Sequence, residues 1–79
     1  MNMATKDIFA TAQHFCVSQD VVNIRTVQGQ KYRGYVDKAE ANRVCVIYFV
    51  ASRYLRRSPQ RITLFPKDIV SINVSKAYN

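Results

Sequence analysis

Between Val22 and Val36 apolar and polar residues alternate with a period of two, a pattern that a helix would scatter around its circumference and a strand gathers onto one face. Val22, Ile24 and Thr26 fall on one side of the first run, with Asn23 and Arg25 on the other. In the second run Tyr32, Gly34 and Val36 alternate against Lys31, Arg33 and Tyr35. Gln28-Gly29-Gln30 separates the two runs, and Gly29 supplies the positive φ that a tight turn needs. The spacing predicts an antiparallel hairpin.

The neighbouring segments extend this arrangement. "TKDIFATAQHF" reads as one helix over about residues 5–16, with Thr5 as N-cap, Asp7 in the first turn, and Ile8, Ala12 and Phe15 at helical spacing. Its expected role is to cover an open end of the sheet, which leaves His14 a solvated position. "RVCVIYFVAS" is apolar on both faces and predicts a long strand covered on both sides. "RYLRRSPQ" reads as an exposed hairpin tip, "RITLF" as a fourth strand, and Pro66-Lys67-Asp68 as a sharp connection into the fifth strand "IVSINV"; the tail over 75–79 is expected to fray. The fold class expected is mainly β: an N-terminal helix, then a five-stranded, strongly bent antiparallel sheet forming a small SH3-like or OB-like barrel over about 20–74. Residues 1–79 make a single domain, without internal repeat or linker.

Gly29 and Gly34 also match the first part of the phosphate-loop pattern G-x-x-x-x-G-K followed by Ser or Thr. Tyr35-Val36 stands where the lysine and hydroxyl residue belong, and the segment runs into a strand with no helix N-terminus to hold an anion. The glycines are therefore structural: Gly29 turns the hairpin, and Gly34 removes a side chain where the sheet bends or another backbone comes close.

A chain of 79 residues buries only roughly 60–65% of its unfolded surface, a marginal core that favours oligomerisation as a supplement. Cys16 and Cys45 lack metal-ligand spacing and sit in apolar surroundings, so reduced thiols are expected. No apolar run approaches the ~18 residues that cross a bilayer, so a soluble, cytoplasmic protein with no membrane partner is expected. Twelve Lys and Arg against five Asp and Glu give a formal charge of +7, which favours polyanions through counterion release. Between Glu40 and Asp68 there is no acid, while Arg43, Arg53, Arg56, Arg57, Arg61 and Lys67 all fall there. Nucleic acid leads among the partner classes that this charge allows, which also include acidic membrane surfaces and acidic protein partners.

The run Val22-x-Ile24, Gly29, Tyr32-x-Gly34-x-Val36, Ala39-Glu40 and Val44 to Val46 resembles the first Sm motif. "LFPKDIVSI", Leu64 to Ile72, resembles the second, particularly the "YKHAIST" of bacterial host-factor (Hfq) proteins. The chain thus resembles a divergent member of the Sm-like (Sm/Lsm/Hfq) superfamily over about residues 20–74. The resemblance implies an Sm-like fold, a homo-oligomeric ring of six or seven subunits closed through the fourth and fifth strands, and binding of single-stranded RNA.

Several positions differ from the family pattern where RNA is read. Glu40 fills the acid position of the base pocket, Val44 stands at the asparagine position, Asn42 at the stacking aromatic, and Pro66-Lys67 at the lysine-histidine pair. On the opposite face Gly29 and Lys31 match, Arg25 replaces a purine-binding tyrosine, and Arg33 replaces a glutamine. The resemblance implies a pore-side pocket of Glu40, Asn42 and Lys67 and a second surface of Arg25, Gly29, Lys31 and Arg33. The basic loop Arg53, Arg56, Arg57 and Arg61 reads either as a solvated tip or as RNA-backbone contact. Tyr32 is expected in the core, Tyr35 as a stacking platform or interface residue, and Tyr48 and Phe49 in burial or subunit packing.

Asp37 and Glu40 could pass for paired catalytic carboxylates, but no metal motif or histidine accompanies them, so an enzyme, a metal and a cofactor are not expected. Two function classes follow: an RNA-binding ring with weak sequence preference, and a protein-interaction module on the same barrel that docks an acidic partner.

Overall fold

A computed structural model describes residues 4–50 and 58–75. One helix, α1 (Thr5–Ser18), is followed by β1 (Val22–Thr26), β2 (Lys31–Glu40), β3 (Arg43–Val50), β4 (Ser58–Leu64) and β5 (Ile69–Val74), with a single 3-10 turn over Pro66–Asp68 between the last two strands. The strands form one antiparallel sheet in the order β4-β3-β2-β1-β5. Its two end strands are β4 and β5, and among the described residues no ladder joins them, so the sheet is not closed into the expected barrel. Closure needs the ends to come within the ~4.8 Å spacing of paired strands. Among the described residues each end strand has one side without a ladder.

Alternation holds on both strands of the first hairpin. Val22, Ile24 and Thr26 are buried and Asn23 and Arg25 exposed; on β2 Gly34 and Val36 are buried between exposed or half-exposed neighbours. These residues join Val44, Val46, Leu64, Ile69 and Ile72 in one core, which α1 completes with Ile8 and Ala12. Helix α1 packs against β2, β5 and the 3-10 turn, covering the sheet as expected. Fully burying an isoleucine or valine stabilises by roughly 1.5–3 kcal/mol, so these inward positions hold the two layers together.

The hairpin turn uses three residues. The Gly29 N–H donates to the Thr26 carbonyl (3.0 Å) and the Thr26 N–H to the Gln30 carbonyl (2.9 Å), with Gly29 at φ 86°. That is a type I turn closed by a left-handed residue. Gly34 meets the β3 backbone instead. A Cβ there would overlap the Ile47 carbonyl oxygen and approach the Tyr48 Cα to 2.7 Å.

The sequence expectations fail at several ends of elements. Thr5 is not the N-cap: Ala4 occupies that position without a side-chain hydrogen bond, and Thr5 is already helical. The helix runs two residues beyond 16 because Gln19, at φ 58°, caps it by donating its N–H to the Phe15 carbonyl. Strand β4 begins at Ser58 and not at Arg61, since Phe49 already pairs with Pro59 and Tyr48 with Gln60. An end strand has a side that needs no N–H, so it accepts the proline. The tail is held at its first residue, where the Ser75 N–H donates to the Val21 carbonyl at 2.7 Å. Its remainder, 76–79, and the hairpin tip carrying Arg53, Arg56 and Arg57 lie outside the described residues. Among the described residues no helix is long and apolar enough to cross a membrane.

Candidate nucleic-acid interface

The outward face of the β1–β2 ladder gathers cations because alternation leaves it no other choice: with Val22, Ile24 and Val36 inward, Arg25, Lys31 and Arg33 project outward. Register then sets them side by side, Arg25 opposite Lys31 and Asn23 opposite Arg33. All three line one shallow depression of about 310 Å³ with Asn23, Ile24 and Tyr32. None of its lining residues is acidic. A register shift between Arg25 and Thr26 in the β1–β5 ladder bends the backbone beside this cluster. Gly29 lies at the tip of the same hairpin, outside the lining.

Asn42 and Lys67 share a second depression of about 310 Å³ with Thr5, Ala41, Phe65 and Pro66. Asn42 comes from the two-residue connection between β2 and β3, Lys67 from the 3-10 turn. Glu40 does not line this depression. Its carboxylate accepts from Arg43 Nε at 3.1 Å across the turn, an exposed pair. That hydrogen bond, and then the charge of Glu40, raise the Arg43 pKa above its ordinary value.

Phe65 is the residue that sequence reading passed over in this pocket. It is 50% exposed beside Lys67. Its signal was available: with Leu64 inward on an alternating strand, the next residue must point out.

The aromatic residues divide by face. Tyr32 packs against the core and edge-on to Tyr48 at 5.0 Å between ring centroids, with its hydroxyl donating to Gln30 Oε1 at 3.1 Å. Phe49 is 46% exposed, so the chain by itself does not bury it. Tyr35, half-buried, lies 6.5 Å from Phe49 between ring centroids. Arg61 is paired with Asp37, which sits at a bulge in β2 between Val36 and Lys38. His14 is exposed on α1, and no group of three or more metal-ligating side chains occurs among the described residues.

A row of cations beside an exposed aromatic ring has the chemistry to hold a phosphate backbone and accept a planar base. Comparison with known proteins adds no relative: no protein-family model, curated protein or solved structure matches this chain.

Proposed function

We propose that this chain is an Sm-like protein that assembles into a homo-oligomeric ring and binds single-stranded RNA with weak sequence preference. The outward cluster of Arg25, Lys31 and Arg33 about one acid-free depression carries the reading. Phosphate contacts of this kind position a strand without reading its bases. The element order and the sheet order β4-β3-β2-β1-β5 support the assembly, because each copy offers two different open edges. Edge pairing of one copy's β4 with the next copy's β5 is heterologous, and heterologous contacts close into rings when the rotation allows.

In such a ring Asn42 and Lys67 of each subunit would come together near the central pore, with Glu40 at their margin and the charge of +7 repeated in every copy. Fluorescence anisotropy with short oligouridylate and oligoadenylate at two salt concentrations tests the binding. Similar affinity for both, falling steeply with salt, is the expected result; no binding at low salt ends the proposal. Light scattering of the free protein tests the ring, which a monomer at physiological concentration contradicts.

The apolar contribution of Ala41, Phe65 and Pro66 beside the cation Lys67 in the second depression favours a second reading, a module that docks an acidic protein partner. Capture from nuclease-treated lysate separates the two, since a partner lost on RNA digestion speaks against direct protein contact.

A further inference from the structure

The cationic cluster does not end at β2. Tyr35 follows Arg33 by two residues on the same strand and so shares its outward face. Across the ladder Tyr35 pairs with Ile47, two residues from Phe49, and Ile47 pairs in turn with Arg61 on β4. The outer face therefore runs from Arg25 and Lys31 through Arg33 to two neighbouring aromatic rings, with Arg61 on their far side. The nearby carboxylate, Asp37, is engaged by Arg61. Phe49 leaves 46% of its surface exposed at the centre of this path.

An exposed ring such as Phe49, beside the half-buried Tyr35, costs solubility unless something covers it, and its surroundings choose the occupant. At the far end Arg61 is engaged by Asp37, and the cations Arg25, Lys31 and Arg33 at the near end oppose a second basic patch against this face. They favour a polyanion that also carries flat apolar rings. Single-stranded nucleic acid is that ligand: the backbone follows the cations and a base stacks on the ring.

We propose that Tyr35 and Phe49 form a base-stacking step on the outer face of the sheet, continuous with the phosphate-holding cluster of Arg25, Lys31 and Arg33. The inference rests on the RNA-binding reading and adds to it a contact with the bases themselves. Every base has a π-face, so this step raises affinity without selecting sequence.

The test compares a ten-nucleotide oligouridylate with an abasic ribose-phosphate oligomer of the same length. Wild-type protein should bind the base-bearing oligomer roughly 5- to 100-fold more tightly. Phe49→Leu keeps an apolar side chain but removes the π-face, and should lose most of that preference while the salt dependence stays as it was. Phe49→Tyr should retain it.

Equal binding of the two oligomers by wild type, or full preference in Phe49→Leu, overturns the stacking step and leaves the phosphate contacts standing. Failure to bind either oligomer overturns the RNA reading and this inference together. A change in the light-scattering mass of Phe49→Leu assigns the ring to a contact between copies and overturns the proposal. Photo-crosslinking of wild-type protein to 4-thiouridine-substituted oligouridylate gives a readout independent of any variant: crosslinks at Tyr35 or Phe49 support the step, and crosslinks only elsewhere contradict it.

Discussion

Arg25 on β1 stands directly opposite Lys31 on β2, two cations at one position of the antiparallel ladder. Like charges so placed destabilise a sheet, whereas opposite charges contribute roughly 0.2–1 kcal/mol. A chain selected for stability alone has cheap remedies at an exposed site, and this pair uses none of them. Arg25→Glu converts the repulsion into an ion pair. The melting midpoint should rise by a few degrees at most, about 4 °C for a domain of this size, while affinity for single-stranded RNA drops. Thermal melts read beside anisotropy check it; a variant that loses stability and keeps affinity contradicts the assignment of this pair to binding.

Arg25 and Arg33 share one depression on the same face. Replacing both with Ala should weaken oligouridylate and oligoadenylate by about the same factor. A loss confined to one homopolymer would mean that these side chains read bases.

Gly34 is enforced by the neighbouring strand, because a Cβ would lie 2.7 Å from the Tyr48 Cα and overlap the Ile47 carbonyl. Backbone on both sides cannot yield as a flexible side chain can. Gly34→Ala should therefore cost about 3 kcal/mol or more, at the top of the range for forced overpacking. Urea unfolding measures it, and a cost below about 1 kcal/mol would show that the β2–β3 ladder slides to make room.

Gly29 poses the opposite problem, with φ 86° and nothing within 4 Å of a built Cβ. Only the left-handed conformation opposes a substitution, so Gly29→Ala should cost roughly 1–2 kcal/mol. Gly29→Asn should recover part of it, since asparagine tolerates that region better. Equal penalties for the two variants would point to a steric cause.

Gln19 joins helix and sheet: its Nε2 donates to the Cys16 carbonyl at 2.6 Å and to the Val36 carbonyl at 3.0 Å. Gln19→Ala removes both bonds and keeps a side chain in the left-handed position, for an expected loss of roughly 1–2 kcal/mol. Amide exchange should then quicken in the last turn of α1 and beside the β2 bulge, while β1 keeps its protection. Unchanged exchange in both places would show that the helix end is held by other contacts.

These residues also show what was legible in the sequence. Alternation of period two fixed which side chains of β1 and β2 point inward, and with them the cationic outer face. Gly29 and Gly34 could be read because turn and close approach leave a local signature. The end of α1 could not, since Gln19 takes its position from Val36, seventeen residues away. Pro59 looked like the close of a loop, because nothing local reveals that its strand is the last of the sheet. Phe49 looked like burial or subunit packing by its hydrophobicity and Phe65 drew no reading, and only the inward placement of their neighbours exposes both. Glu40 matched a pocket acid by type, while its turn partner Arg43 claims the carboxylate.

The central claim is that the outward cations hold a phosphate backbone, and the salt dependence of RNA affinity tests it most directly. Fluorescent oligouridylate is titrated with wild-type protein and with the Arg25→Thr, Lys31→Thr double variant across a series of salt concentrations. Each phosphate contact on a single strand contributes about 0.7 to the slope of log affinity against log salt, so the account expects a steep wild-type line and a flatter one for the variant. Two parallel lines of equal affinity, or a wild-type line without slope, would contradict it.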